Sequence, residues 1–388
     1  MVETLASAGV SFQLTDEQQM LQKMARDFTA REIIPVAAEY DANATFPEAI
    51  FRKAFELGLV NLNIPEAYGG VGASALEESL VAEELGYGCT GISTSISLNN
   101  LAALPIILAG NEAQKAYWLG ERLMKRGEFA SYGVTESVAG SNVAGIETRA
   151  VRTNGAYRIN GSKTFITNAS HASFFCVFAK TDPAAGHRGM SCFVVERDMP
   201  GVSVGRKFDK LGQRASDTAE IVFEDVEVPA ENRIGQEGQG FYLAMKVFDY
   251  SRPGVAAGAV GLQRRCLDES VKYAKEREAF GVPIYQHQAI GHKIADMAIH
   301  YEASRLLVWQ AAWQLETGSI NPKLPAFAKA FAADMATRAA VDAVQVFGGY
   351  GYMKEYPVEK LLRDVKIFQI YEGTSEIQRN IIVRELFR

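Results

Sequence analysis

One carboxylate in this chain has neighbours suited to make it a base. Glu372 lies in Ile370-Tyr371-Glu372-Gly373-Thr374-Ser375, between the apolar Ile367, Phe368 and Ile370 and a final helical stretch. Gly373 permits a backbone angle closed to most residues, and Ser375 with Gln378 has the S-x-x-Q spacing of a capping box for that last helix. Desolvation on such a loop raises a carboxyl pKa toward the range useful to a general base, while a helix N-terminus just behind it favours the anion. The same residues suit a surface glutamate at a helix entrance, so the segment alone leaves both readings open.

The other chemical groups are less concentrated. The five histidines, His171, His187, His287, His292 and His300, form no H-E-x-x-H motif, and the four cysteines, Cys89, Cys176, Cys192 and Cys266, form no C-x-x-C pair. No metal site and no disulfide framework is therefore expected. The glycines of 235–240 and 348–351 do not open a helix after a strand in a βαβ unit, so they lack the context of a dinucleotide fingerprint. Tyr132-Gly133-Val134-Thr135-Glu136-Ser137-Val138-Ala139-Gly140-Ser141-Asn142 differs in kind. Backbone amides beside small hydroxyl residues suit a flat, phosphate-bearing ligand, though a polar loop entering a β domain has the same composition.

The elements that must position these groups fall into three blocks. Thr15 and Gln18 make a capping-box spacing, and Met20, Leu21, Met24, Ala25 and Phe28 follow a helical period. Helical runs continue through 51–57, 76–85 and 111–119, while the Gly/Ser/Thr/Asn-rich 86–100 reads as a pocket lining or a plain loop before a core helix. From Phe129, short β-branched and aromatic runs begin: 149–153, 156–160, 163–167, 174–179, 190–196, 202–206 and 219–227. Asn154-Gly155 and Asn160-Gly161 sit where hairpin turns belong. Long helical runs return from about Gly238, with breaks expected at Pro253, Pro283, Pro322 to Pro325 and Pro357. The expected fold is α+β and multidomain: an N-terminal α-helical domain (1–128), a middle antiparallel β-barrel or sandwich domain (129–237) and a C-terminal four-helix bundle (238–388).

Composition agrees with a globular chain: 388 residues, 48% hydrophobic and 22% charged. A net charge of −6 and a pI near 5.6 argue against nucleic acid as the main partner. No run of eighteen uninterrupted apolar residues occurs, and Met1 to Val10 lacks the pattern of a signal peptide, so neither a membrane partner nor a secretory leader is expected.

The Tyr132–Asn142 segment, Phe165-Ile166-Thr167-Asn168 and Tyr371-Glu372-Gly373-Thr374-Ser375 together resemble the flavin and catalytic signatures of the acyl-CoA dehydrogenases, in matching order and spacing. The resemblance runs essentially end to end. Arg31-Glu32-Ile33-Ile34-Pro35, Tyr87-Gly88-Cys89-Thr90-Gly91 and Gly212-Gln213-Arg214 resemble the medium-chain members most closely. It implies FAD held by Tyr132, Val134, Thr135, Ser141, Phe165, Ile166 and Thr167 around the isoalloxazine and ribityl chain. Arg277, Phe280, His287, Gln288, Gln345, Gly348, Gly349, Thr374 and Glu376 are implied for the rest of the cofactor, part of it across a subunit interface. A homotetramer, a dimer of dimers, follows from that.

By the same resemblance Glu372 removes the pro-R α-proton of an acyl thioester while the β-hydride passes to flavin N5, giving a trans-2-enoyl-CoA. The thioester carbonyl would accept from the Glu372 N–H, as in an oxyanion hole. Ser141, Asp249, Ser251, Arg252, Tyr371, Gly373 and Arg384 are implied at the CoA and acyl site, with Ser97 and Leu98 at the deep end of the acyl pocket. Ser251 occupies the position where some relatives carry their base. Departures from the medium-chain pattern include Ser137, Asn142, Phe165, Ala279 and Glu376, and the pocket has Ser93, Ser97 and Leu98 in place of glutamine, glutamate and glycine. An acyl chain of roughly four to twelve carbons fits this apolar pocket, with a branched short chain in reserve. Electrons are expected to pass to an electron-transfer flavoprotein. An oxidase using O₂ remains an alternative, although such enzymes usually carry a further C-terminal domain. A catalytically silent binding or scaffold protein is the other. A mitochondrial matrix enzyme, if eukaryotic, or otherwise a bacterial cytoplasmic one is expected.

Overall fold

The computed structural model describes residues 12–318 and 321–388; the expectation about Met1 to Val10 lies outside them. The capping box at Thr15 forms, with the Gln18 N–H donating to the Thr15 hydroxyl at 3.2 Å and the Thr15 N–H donating to Gln18 Oε1 at 3.1 Å. It starts α1 (Asp16–Phe28), which buries Gln22, Ala25 and Phe28. Then come α2 (Ala37–Asn43), α3 (Glu48–Glu56), α4 (Ala75–Gly88), α5 (Thr90–Ala109) and the short α6 (Glu112–Gln114), continued by a π-helical stretch, Lys115–Lys125.

The stretch 86–100 is therefore helix, not loop, interrupted only at the extended Cys89 (φ −164°). Its small polar residues are held by tertiary bonds that outweigh weak helix propensity. The Ser95 hydroxyl donates to Gly91 O one turn earlier in the helix, Ser95 O accepts from the Asn168 side chain, and buried Asn99 donates to Asn61 and to Glu128 O. By length and hydropathy α5 is the one helix among the described residues able to cross a membrane. Here it is packed against α4, a long C-terminal helix and the first strand of the middle domain.

The middle domain comprises β1 (Ala130–Gly133), β2 (Arg149–Arg152), β3 (Ala156–Thr167), β4 (Phe174–Lys180), β5 (Met190–Glu196), β6 (Val202–Lys207), β7 (Thr218–Pro229) and β8 (Arg233–Ile234). They make one eight-stranded sheet in the order β6-β7-β3-β2-β4-β5-β8, with β1 beside β4. Most pairings are antiparallel; β1 with β4 and β2 with β4 are parallel. Asn154-Gly155 makes the expected hairpin between β2 and β3. Asn160-Gly161 does not turn the chain: β3 runs through it as a bulge against β7. Gly161 has φ +144°, and a Cβ there would stand 2.6 Å from the Thr148 hydroxyl, so the glycine serves close strand approach.

Helix resumes with α7 (Gly240–Glu276), then a small hairpin of β9 (Glu278–Ala279) and β10 (Val282–Pro283), α8 (Gln288–Glu316), α9 (Lys323–Phe347), α10 (Pro357–Val365) and α11 (Ser375–Leu386). Pro253 does not break α7. It removes one backbone donor from a 37-residue helix whose neighbours hold it in place. Pro357 instead occupies the first turn of α10, where no donor is needed. Helices α7, α8 and α9 pack as the core of the C-terminal bundle, with α10 and α11 against α9. Alanine lines the buried side of α9, which lets its neighbours approach closely.

Candidate active site

The loop between α10 and α11 carries Glu372 in the left-handed region (φ +55°), followed by Gly373 at φ +88°. A Cβ on Gly373 would lie 2.7 Å from Gln378 Nε2, so only glycine fits. The cap of α11 is Thr374, not Ser375: the Thr374 hydroxyl accepts from the Ile377 N–H at 3.2 Å. Ser375 donates to Asp334 of α9, and Gln378 turns back to donate to both Glu372 O and Gly373 O at 3.0 Å. Arg252 Nε also donates to Glu372 O, at 3.4 Å, and Lys329 Nζ donates to Gly373 O. Three elements thus grip two successive carbonyls.

The Glu372 carboxylate accepts from the Ser251 hydroxyl at 2.7 Å. Burial raises its pKa above the usual carboxylate value, while the Ser251 bond and the Arg252 and Lys329 cations pull it back. Arg252 is buried and paired with Asp249 at 2.8 Å, so it shapes the site from behind the loop. Arg384 lies exposed on α11 against Glu385. Tyr371, next to the base, lies 3.5 Å from Gln213 Nε2, and Gln213 Oε1 accepts from Thr94 of α5. Half-buried Thr94, Ser97 and Leu101 follow one face of α5 at i, i+3 and i+7, while Ser93 and Leu98 are buried. Gln213 is left-handed (φ +47°), and its N–H is held by buried Asp364 at 2.6 Å.

The second group of residues gathers on β1, the loop after it and the end of β3. Tyr132, Val134 and Ile166 are buried, Thr135 and Thr167 are half-buried, and Ser141 is exposed. Ile166 packs in the sheet core, which leaves its backbone to meet a ligand. Phe165 is left-handed (φ +58°) and 62% exposed, an apolar ring held outward by its backbone. Glu136 is no ligand group: it forms a buried ion pair with Lys163 at 2.6 Å and accepts from the Glu147 and Thr148 N–H groups. Burial pushes the Lys163 ammonium down to about 8. That pair ties the loop to β3.

Models of the acyl-CoA dehydrogenase N-terminal, middle and C-terminal domains match residues 15–125, 131–226 and 238–387. A probable medium-chain specific acyl-CoA dehydrogenase 2, mitochondrial, of Caenorhabditis briggsae is 44% identical over 97% of this chain and 92% of its own. The chain belongs to the acyl-CoA dehydrogenase family. Its fold superposes on butyryl-CoA dehydrogenase from Megasphaera elsdenii with a TM-score of 0.95 at 40% identity, covering 98% of this chain and 100% of the other. A structure described as the electron transferring flavoprotein of Acidaminococcus fermentans gives a TM-score of 0.95 at 41% identity, covering 98% of this chain and 100% of that one.

FAD is the cofactor of acyl-CoA dehydrogenases, and this chain's residues fit it. The buried Tyr132 hydroxyl has no hydrogen-bond partner within the protein, which is the position of a group awaiting a ligand. A cavity of about 680 Å³ brings together Arg277, His287, Gly348 and Gly349 with Tyr273 and Tyr350. A second of about 380 Å³ gathers Thr374 and Glu376 with Asp334, Lys366 and Arg379. Phe280 is 96% exposed between β9 and β10, at the tip of their hairpin, its ring edge-on to His287. Gln288 and Gln345 are also exposed, outside the residues lining either cavity. Sequence reasoning missed Lys329, Asp334 and the Glu136–Lys163 pair, and named Gln213 only within a segment that carries the resemblance. The signal for the first two was a lysine and an aspartate inside an alanine-rich helix face, where charge is costly unless paired.

Proposed function

We propose that this acyl-CoA dehydrogenase abstracts the α-proton of a short- to medium-chain acyl-CoA with Glu372, yielding the trans-2-enoyl-CoA. The observation that carries the reading is the placement of one carboxylate, raised in pKa by burial, on a loop whose carbonyls are tied down by Arg252, Gln378 and Lys329. The Glu372 N–H, in the peptide just before the held carbonyls, would donate to the thioester oxygen, where charge grows as the α-proton leaves. Ser251 keeps the carboxylate ionised and aimed. When bound, FAD supplies the acceptor for the hydride that leaves the β-carbon. Tyr132, Thr135, Ser141, Phe165 and Thr167 would hold its ring and chain, and Arg277, His287, Gly348, Gly349, Thr374 and Glu376 its distal half.

The Thr94–Ser97–Leu101 face of α5 lines the acyl end of the site, with Tyr371 opposite. Small side chains there favour chains longer than acetyl, and the butyryl-CoA dehydrogenase and medium-chain relatives support the range of roughly four to twelve carbons. An electron-transfer flavoprotein is the proposed acceptor, supported by the Acidaminococcus fermentans match. A homotetramer is supported by exposed Ile299, Leu306 and Trp313, spaced by seven along α8, and by the bare Phe280 ring.

Anaerobic titration of the yellow protein with saturated acyl-CoAs of graded length and branching tests the reading. Bleaching of the flavin band with a long-wavelength charge-transfer band is expected for chains within the range. Glu372→Gln should keep FAD and enoyl-CoA binding and lose turnover by at least about 1,000-fold; retained turnover sinks the assignment of the base. Rapid oxygen consumption by the reduced protein would point to an oxidase instead.

A further inference from the structure

Lys329 is a buried ammonium whose charge the proposed reaction does not yet use. It lies on α9 with 1% of its surface exposed, among alanines, and its side chain reaches the loop of the base to donate to Gly373 O. Helix α9 sends a second charged group to the same loop five residues later, since Asp334 accepts from Gln369, Ser375 and Arg379. The two differ in what they do. Half-buried Asp334 ties down the loop's flanks, while Lys329 places a full charge beside the Gly373 carbonyl.

We infer that Lys329 is a positioning residue for the base: its charged bond to Gly373 O holds the left-handed Glu372–Gly373 turn, and its charge keeps Glu372 ionised. This rests on the reading of Glu372 as the base. Two consecutive left-handed residues, one of them a glutamate, need tertiary bonds to persist. The carbonyl that Lys329 takes belongs to the peptide that fixes the angles of Gly373, and Gln378 bridges it to the carbonyl before. A neutral donor would satisfy the oxygen. An ammonium adds a cation facing the carboxylate in a desolvated site, where charge acts over longer range than in water.

The groups facing this pair come from every element around it. Glu372 faces Arg252 and Ser251 of α7, Lys329 of α9 and the Tyr132 phenol of β1. Lys329 faces Glu372, Arg252, Asp334 and Glu376. Burial brings the Lys329 ammonium down to about 8, with Glu372 opposing that fall. The sign follows. Catalysis needs an ionised Glu372, so activity rises with pH through its pKa; a neutral residue in place of Lys329 raises that pKa and moves this acid limb to higher pH.

The test compares Lys329→Met and Lys329→Arg with the wild type as FAD-loaded full-length proteins, reading kcat and KM against pH. Lys329→Met removes the charge with little change of volume. It is expected to retain FAD absorbance, keep KM for an acyl-CoA within about threefold, lose about 10- to 100-fold in kcat, and move the acid limb up by about one pH unit. Lys329→Arg, which stays charged, is expected to keep the acid limb in place. A folded Lys329→Met with an unmoved acid limb overturns the inference, as does a Lys329→Arg whose acid limb moves as far as that of Lys329→Met; the arginine variant carries the test if Lys329→Met does not fold. Glu372→Gln separates the two proposals, since turnover surviving there defeats the base, whereas an inactive Glu372→Gln beside an unaltered Lys329→Met defeats only Lys329.

Discussion

Of the eight non-glycine residues with left-handed backbone among the described residues, four lie in or beside the proposed site: Phe165, Gln213, Phe280 and Glu372, with φ between +47° and +58°. Each costs about 1–2 kcal/mol and persists only because its surroundings impose it. That explains what was legible at this scale. Glu372, Gly373 and the residues of the Tyr132 loop could be picked out by type and spacing. The strained angle at Glu372 could not, because the donors that enforce it, Arg252, Lys329 and Gln378, come from three separate helices. The capping residue was misplaced by one for the same reason, with Ser375 and Gln378 drawn away by Asp334 and the loop carbonyls. Ser251 gives the sharpest test of the base's environment. Its hydroxyl donates to the Glu372 carboxylate and stabilises the charged form, so Ser251→Ala leaves the base with a still higher pKa. The acid limb of kcat/KM is expected to move up by about one pH unit, giving a loss of roughly tenfold below it and nearly wild-type rates above both limbs. A uniform loss at every pH would place Ser251 outside the titration of Glu372.

Among the elements, α5 shows how tertiary packing overrides local composition. Its first half is rich in Ser, Thr and Asn and reads as loop, yet Asn99 and Ser95 have their polar groups satisfied inside the fold and the helix starts at Thr90. Periodicity was hidden because both faces of α5 are buried, which removes the polar stripe that marks a surface helix. Strands β4 and β5 were legible almost to the residue, since short β-branched and aromatic runs are hard to read otherwise. The second Asn-Gly was not legible as a bulge, because its role depends on Thr148 pressing against Gly161. In the proposed reading, helix α5 also carries the determinant of chain length. Ser97 lies half-buried between Thr94 and Leu101, so Ser97→Phe fills the deep end of the site without touching Glu372. The longest acyl-CoA turned over is expected to shorten by at least about two carbons, with butyryl-CoA losing less than about threefold in kcat/KM. Unchanged rates across the series would mean that the acyl chain runs elsewhere.

At the scale of the molecule, helix–β–helix order was readable because the period of apolar residues changes twice, near 129 and near 238, and each block has its own buried core. Assembly is less accessible to sequence, since a residue's exposure is decided by the fold. Ile299, Leu306 and Trp313 illustrate this: buried neighbours at Met297, Tyr301, Ser304 and Val308 face the bundle, and the three apolar side chains are left on the outer side of α8. Apolar residues spaced by seven on one helix face are suited to pack against a copy of themselves related by a two-fold axis. In the proposed tetramer, cofactor binding is coupled to that surface. The 680 Å³ cavity behind Arg277 lies open at the chain's own surface, and Phe280 beside it stands almost entirely in solvent, which supports the proposal that a second chain closes over the ligand there. Leu306→Glu with Trp313→Glu places four carboxylates at each two-fold contact and leaves every residue of the catalytic loop untouched. Light scattering after size exclusion is expected to show the wild type as a tetramer and the double variant as dimer or monomer. FAD should dissociate at least about tenfold more readily from the variant, because the distal half of the cofactor loses the chain that covers it. A variant that stays tetrameric would remove this face of α8 from the interface, and one that dissociates yet keeps its FAD would place the whole cofactor site within a single chain.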